Sequence, residues 1–343
     1  MLHTRRRYTV KAPDGNKLAI LNALNQPGFV SGQALGEQLG ISRAAVSKHI
    51  NSLQVMGLDI FKVTGKGYSL NNHAGLLNQT KIQQHFNQLT SQLKSQPVNV
   101  EVHPIIDSTN SELMRRVQAK TALESGTVIV AEMQQAGRGR RGRVWQSPFG
   151  ANLYYSYFWR LDDGLQAAMG VSIAVGLAVY DTIKALYDIE LELKWPNDIY
   201  LNKQKLAGVL VELDGQPQGP CQLVLGIGIN LQMPQSFSQH IDQAWTDLSQ
   251  HTQQLDKNEL VASLTYHLEH RLDQYRKSGL HTMHEQWNSL NAFAGEYVEL
   301  NTGHRSWRGI CEGIDPQGGI LIRQDGEVKS YYGGEISLRK AQL

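Results

Sequence analysis

The stretch GRGRRGR, residues 137–143, sets Arg138, Arg140, Arg141 and Arg143 among three glycines. Gly137, Gly139 and Gly142 reproduce the G-x-G-x-x-G spacing of a dinucleotide-binding turn, but that turn has to open a helix packed on a sheet. Here RVWQSPFGANLYYSYFW follows, which reads as a turn and then a strand. The segment is therefore a glycine-jointed loop held between strands. Such a loop is either a solvated basic surface or a device that brings guanidinium forks and backbone N–H groups up to an anion.

Three further stretches carry chemistry. In KWPNDIYLNKQKLAGVLVE, residues 194–212, Pro196, Asn197 and Asp198 form a turn after a strand, and Lys205 stands where another strand starts. A rigid element can aim that ammonium, although a lone Lys is ordinarily a solvated cation. Ser108, Thr109 and Asn110 lie at a strand-to-helix junction, where their neutral donors and acceptors suit a polar, uncharged ligand. GIGIN, residues 226–230, permits close backbone approach and ends in the Asn230 amide, a pattern that a plain buried strand shares. The sequence holds no Ser-His-Asp, HExxH or P-loop arrangement.

The elements around these residues follow from periodicity. Leu18, Ile20, Leu21 and Leu24 recur at helical spacing before Pro27 and Gly28. Ser31 caps a short helix with Leu35 and Leu39 inward, Gly40 supplies a left-handed turn, and Ser42 caps a second helix with Val46, Ile50 and Leu53 inward. That is a helix-turn-helix, and its second helix leaves Arg43, Ala44, Ser47, Lys48 and Asn51 outside with Ser42 at its start, side chains suited to a major groove. LDIFKVTGKGYSL adds a hairpin with Lys66 at its tip, completing a winged helix over residues 1–70. Residues 71–80 read as a linker, and 81–93 as a Gln-rich helix.

From VNVEVHPIID onward, strands and helices alternate. Helices are expected over 111–120, 167–186 and 258–279, and strands at TVIVAEMQQ, ANLYYSYFW, KLAGVLVEL and QLVLGIGINL. Residues 81–291 thus form an α/β domain. Over 292–343, YVEL, WRGICEGI, GGILIR and VKSYY alternate with turn signals, which makes a small β-barrel module. The whole is an α+β multidomain chain.

A length of 343 residues with 41% hydrophobic content suits two or three packed domains. Residues 1–70 hold nine Lys/Arg against three Asp/Glu and the remainder 24 against 28, so a polyanion partner is expected for the first domain alone. Cys221 and Cys311 lie far apart with no CxxC spacing, which argues against a zinc site or disulfide framework and fits a reducing cytoplasm. The apolar run 165–180 includes Gln166 and Ser172 and is bounded by Asp162, Asp163 and Asp181, so it reads as a buried helix and not a membrane span. Arg5, Arg6 and Arg7 have no apolar run behind them, so no secretory signal is read.

Taken together, SRAAVSKHI, GKGYSL, DSTN, QQAGRGRRGRVWQSPFGANLY, KWPNDIYL, KLAGVLVEL, GIGIN and GGEISLR resemble the bifunctional biotin–protein ligases that also repress the biotin operon. The resemblance runs from the first helix to the C-terminus, and residues 1–17, with their RRR, depart from it. It implies a mixed-sheet, class II synthetase-like catalytic domain and an SH3-like C-terminal barrel. It implies biotinyl-5′-adenylate formation from biotin and ATP with Mg²⁺, then transfer to a lysine of the biotin carboxyl carrier protein. It also implies an adenylate-bound homodimer on biotin operator DNA, with no membrane partner and no protein metal ligands.

Residue by residue, Ser108, Thr109, Asn110 and Gln134 match holders of the biotin ureido ring, and Arg138, Gly139 and Arg140 the loop that folds over the ligand. Lys205 matches the lysine beside carboxylate and phosphate, and Trp145 the aromatic against adenine. Asn197, Asp198 and Asn230 match polar positions on the ATP and metal side, with Arg141 and Arg143 completing the loop cations. Arg339 matches a C-terminal-module residue linked to ATP use. The chemistry agrees: a carboxylate approaching an α-phosphate needs fixed positive charge, and an adenylate needs no protein nucleophile. Asp198 either helps deprotonate the acceptor amine or orders substrate and metal. Two rivals are a repressor with a non-catalytic sensor domain, opposed by Lys205 and the loop arginines, and a ligase that no longer binds DNA, opposed by Arg43, Ser47 and Lys48.

Overall fold

The computed structural model describes residues 15–24, 28–56, 58–70, 75–90, 99–162, 164, 168–215, 219–238, 241–301, 305–333 and 337–340. The N-terminal module consists of α1 (Gly15–Leu24), α2 (Gly32–Leu39), α3 (Arg43–Val55), β1 (Ile60–Val63) and β2 (Gly67–Leu70). Local rules account for it. Ser31 Oγ accepts the Ala34 N–H at 3.0 Å, Ser42 Oγ accepts that of Ala45 at 3.2 Å, and Gly40 takes φ 65° between the two helices. Ile20, Leu21, Leu24, Leu35, Val46, Ile50 and Leu53 are buried together, the set the helical period selects. One further core member comes from far along the chain: Phe149, 3% exposed, whose N–H donates to the Met56 carbonyl at 3.3 Å.

Of the expected linker, residues 71–74 lie outside the described ones. Leu77 N–H donates to Glu132 Oε1 at 2.5 Å, and Asn78 caps α4 (Gln79–Leu89), two residues ahead of the expected helix start. Glu132 also pairs with Lys257, both buried.

The central sheet contains β3 (Asn99–His103), β4 (Thr127–Ala131), β5 (Asn152–Leu161), β6 (Glu192–Lys194), β7 (Asp198–Leu201), β8 (Gln204–Gly215) and β9 (Cys221–Asn230). Its order is β3-β4-β5-β9-β8-β7-β6, with β3 and β4 parallel and the other neighbours antiparallel, so the sheet is mixed as expected. Alternation sorts its faces. Val128, Val130, Tyr155, Tyr157, Leu223 and Leu225 join the main core with α6 (Val171–Tyr187) and α7 (Lys257–Ser278). Ile129, Phe158 and Val224 face the other way, onto Leu113 and Val117 of α5 (Thr109–Gln118). The helix expected over 167–186 begins only at Val171, because Gly170 ahead of it is left-handed at φ 87°. Strand β7 and the short helix α8 (His284–Ser289) were not anticipated.

The C-terminal module is a five-stranded antiparallel sheet of β10 (Tyr297–Asn301), β11 (Ser306–Ile314), β12 (Ile320–Gln324), β13 (Glu327–Tyr331) and β14 (Ser337–Lys340), ordered β13-β12-β11-β10-β14. Val298, Leu300, Ile314, Ile320 and Leu338 continue the central core without a break. Trp195 Nε1–H donates to the Gly318 carbonyl at 3.0 Å, tying the WPN turn to this module.

Candidate active site and nucleic-acid interface

On the α5 face of the central sheet, the strands carry small residues where the rest of that face carries bulk. Gly226 and Gly228 alternate with core-facing Ile227 and Ile229, so GIGIN is both a buried strand and the floor of a cleft. A Cβ at Gly226 would stand 2.2 Å from Asn110 Oδ1, and one at Gly228 would stand 2.5 Å from the Trp145 indole. Gly208 of β8 likewise leaves room for Lys205 and Trp145. The cleft above them, about 1280 Å³, is lined by the sequence-selected residues from Ser108 to Arg339.

One end is neutral and tightly wired. Ser108 caps α5, and the next residue, Thr109, donates its N–H to Gln134 Oε1 at 2.9 Å. Gln134 Nε2 reaches Ser147 Oγ at 3.2 Å, which in turn donates to the Trp145 carbonyl at 2.9 Å. Ser156 Oγ lies 2.7 Å from Thr109 Oγ1 and 2.5 Å from Asn110 Oδ1. Asn110 Nδ2 donates to the Leu210 carbonyl and to Glu212 Oε2, at 3.2 and 3.0 Å. Ser108, Thr109, Asn110 and Ser156 are all buried.

The other end is ionic. Lys205 Nζ lies 2.6 Å from Asp198 Oδ1 and Lys194 Nζ 3.6 Å from Asp198 Oδ2. Burial alone would raise the Asp198 pKa, but Lys205 and then Lys194 outweigh it and hold the carboxyl below its ordinary value of 3.8. Burial pushes the Lys194 ammonium down despite Asp198, and its Nζ also reaches the Tyr200 hydroxyl at 2.8 Å. Lys205 Nζ stands 5.4 Å from the Trp145 ring centroid, within cation–π range. Asn230 Nδ2 donates to the Thr246 carbonyl at 3.1 Å, fixing the loop that borders Lys205.

The arginine loop reaches over both ends. Arg138 Nη2 meets Glu212 Oε2 at 2.6 Å, and Arg140 Nη1 donates to Asn197 Oδ1 at 3.0 Å. Burial lowers the Arg140 pKa against the pull of Asp198, so its charge is the least hydrated of the loop. Arg141 is left-handed at φ 58° and Gly142 at φ 69°, and Gly139 N–H closes onto the Arg143 carbonyl at 2.8 Å. Arg141 and Arg143 line the cleft but are exposed, as is Arg339, which enters from β14. Lys194, Ser147, Ser156, Gly208 and Glu212 were missed by sequence reasoning. Lys194 was legible in principle, since it opens KWPND, whereas Glu212 looks like any outward carboxylate on a strand.

In the N-terminal module, Ser42, Arg43, Ala44, Lys48 and Asn51 are exposed on α3, with Ser47 half-buried among them. Lys66 is exposed at the hairpin tip, between Gly65 and Gly67 at φ 81° and 113°. This is one contiguous helical face plus a cationic wing.

Residues 102–230 match the biotin/lipoate A/B protein ligase family, residues 16–69 a helix-turn-helix domain, and residues 293–339 the biotin protein ligase C-terminal domain. The chain belongs to the biotin protein ligases, in the bifunctional ligase/repressor group that carries an N-terminal helix-turn-helix. It is 45% identical to the bifunctional ligase/repressor BirA of Salmonella typhimurium, over 95% of this chain and 98% of the relative. Against BirA of Bacillus subtilis the identity is 30%, over 93% and 97%. Among solved structures, the biotin protein ligase from Aquifex aeolicus in complex with biotin and ATP superimposes with a TM-score of 0.61 at 28% identity, covering 71% of this chain and 99% of that one. Among the described residues, no helix is long and apolar enough to cross a membrane.

Proposed function

We propose that this chain activates biotin with ATP, transfers it to a lysine of a biotin carboxyl carrier protein, and represses biotin synthesis genes as an adenylate-bound dimer. The observation that carries this reading is the pairing, within one cleft, of a buried neutral array with a desolvated cation cluster. The array of Ser108, Thr109, Asn110 and Gln134 fits an uncharged ureido ring, which has donors and acceptors but no charge. Lys205, Arg138, Arg140 and Lys194 fit the place where a carboxylate and an α-phosphate meet. In the first step a biotin carboxylate oxygen attacks the α-phosphorus and the bond to the β-phosphate oxygen breaks. Pyrophosphate leaves, and the cations offset the charge that accumulates.

Trp145 has the planar surface for adenine, while Arg141, Arg143, Asn197, Asn230 and Arg339 contribute polar contacts to the nucleotide. In the second step the acceptor lysine, its ammonium deprotonated by solvent, attacks the acyl carbon; the acyl–oxygen bond breaks, AMP leaves, and the remaining amine proton passes to solvent. Asp198, with its pKa held down by two lysines, is a weak base, and its role here is to set Lys205 in place. No group of three His, Cys, Asp or Glu among the described residues is arranged around a common centre. On this reading Mg²⁺ would enter with ATP as the counter-ion of the triphosphate.

Labour divides along the chain: a winged helix over 1–70, a linker over 71–80, the ligase domain over 81–291 and the C-terminal barrel over 292–343. Ser42, Arg43, Ala44, Ser47, Lys48 and Asn51 of α3, with Lys66 of the wing, read a half-site, and a two-fold dimer reads both halves of a palindrome. The test is pyrophosphate release from biotin and ATP together with a gel shift on biotin-operator DNA. No pyrophosphate release would leave a ligand-sensing repressor, and release without a ligand-dependent shift would leave a ligase alone.

A further inference from the structure

Glu212 is an unexpected neighbour for a cleft that gathers anions. It lies on β8, two residues beyond Leu210, and stands just outside the cleft lining. A carboxylate there works against binding a phosphate unless it does something else. Its Oε2 accepts from two partners, Asn110 Nδ2 at 3.0 Å and Arg138 Nη2 at 2.6 Å. These partners differ in kind. Asn110 is 4% exposed, pinned by Ser156 on its oxygen side and seated against the bare backbone of Gly226, so it is a fixed post. Arg138 is 42% exposed and belongs to the glycine-jointed loop. Glu212 therefore ties the arginine loop to a buried residue in the first turn of α5.

The tie sits near the N-terminal root of the loop, one residue after Gly137, whose own Cβ position is blocked by Ser147 and Trp145. Fixing Arg138 limits the conformations open to Gly139 and Arg140, and so lowers the entropy lost when the loop closes over a ligand. The same carboxylate offsets part of the Arg138 charge, so that Lys205, Lys194 and Arg140 carry most of the anion recognition and Arg138 adds to it while also pinning the loop.

Resting on the proposed adenylation reading, we infer that Glu212 is a positioning residue of the ligase: through Arg138 it holds the arginine loop closed and sets how long the adenylate is retained. The experiment uses the full chain and its double-mutant cycle, Glu212→Gln, Arg138→Gln and the pair together, with the biotinyl-adenylate off-rate followed by stopped flow. Glu212→Gln keeps an acceptor for Asn110 and removes the negative charge that faces Arg138. The expected result is release about three- to tenfold faster than the parent, the range for one partly exposed charge-assisted contact, with no additional acceleration when the change is made in Arg138→Gln. An off-rate equal to the parent's overturns the inference. So does equal acceleration in both backgrounds, because Glu212 would then act through Asn110 and not through the loop. A parent that forms no adenylate at all overturns the proposed function instead, which keeps the two failures distinguishable.

Discussion

The two ends of the cleft are built on opposite principles. At the Thr109 and Gln134 end, neutral side chains satisfy one another through hydrogen bonds that are partly or fully buried, so each fixes the position of the next. At the Asp198 end, two lysines share one carboxylate in a Lys205–Asp198–Lys194 cluster that is largely dehydrated and keeps an excess of positive charge. On the proposed reading, a ureido ring entering the first end would exchange a few hydrogen bonds for equivalent ones, so specificity there would be steric and directional. A phosphate entering the second end would rearrange charge, so a lost group there would cost more in rate than in shape.

The largest effect should follow Lys205→Ala. Losing a charge-assisted contact worth about 1.5–3 kcal/mol in the transition state lowers adenylation about 10- to 200-fold, read as pyrophosphate release. The same change also leaves Asp198 with one distant cation, so the thermal midpoint should fall. Pairing Lys205→Met with Asp198→Asn should recover the midpoint but not the rate, which separates charge supply from fold. Near-normal adenylation by either variant would place the charged end elsewhere.

Arg140→Ala comes next. The variant should still make the adenylate but release it about ten times faster, because one desolvated guanidinium contact across the loop is gone. Streptavidin blotting of an unrelated protein incubated with the variant should show more label than with the parent. Clean specificity with an unchanged off-rate would return the loop to a solvated basic surface.

At the neutral end, Thr109→Val keeps the shape of the side chain but removes its hydroxyl from Ser156 and Gln134. The expected outcome is a biotin KM raised about tenfold with kcat nearly unchanged, since about 1–1.5 kcal/mol of binding is lost equally from ground and transition states. A fall in kcat instead would show that the two ends are not separable.

The smallest effect concerns acid. Because the folded pKa of Asp198 lies below its ordinary 3.8, its contribution to stability is fully present above that value and is lost as pH falls through the lower folded one. The difference in thermal midpoint between the parent and Asp198→Asn should therefore be constant from pH 7 to about 5 and narrow below about pH 3.8. A difference that peaks at mildly acidic pH would contradict the ion-pair account.

Legibility in the sequence follows distance along the chain. Ser31, Gly40 and Ser42 each announce a cap or turn within a few residues, and Val46, Ile50 and Leu53 follow one helical period, so the helix-turn-helix could be read almost residue by residue. The motif residues of the cleft were also found, and they do meet there. Their partners were not: Arg138 pairs with Glu212 across 74 positions and Asn110 with the same carboxylate across 102, separations that no local pattern encodes. Strand β7 was lost because DIYL is only four residues long and follows a proline turn, leaving too short a run to show alternation.

Phe149 extends that point to the limits of the modules themselves. A chain cut after Leu70 would contain every helix of the DNA-reading unit yet lack one of the side chains that fill its interior. Emptying a buried phenylalanine site costs about 3–5 kcal/mol, comparable with the entire stability of a domain of that size. The excised fragment would be a poor competitor for the operator, because it borrows part of its solidity from the enzyme. A protease that severed the two would release no constitutive repressor, and loss of the folded ligase would extinguish gene control along with catalysis.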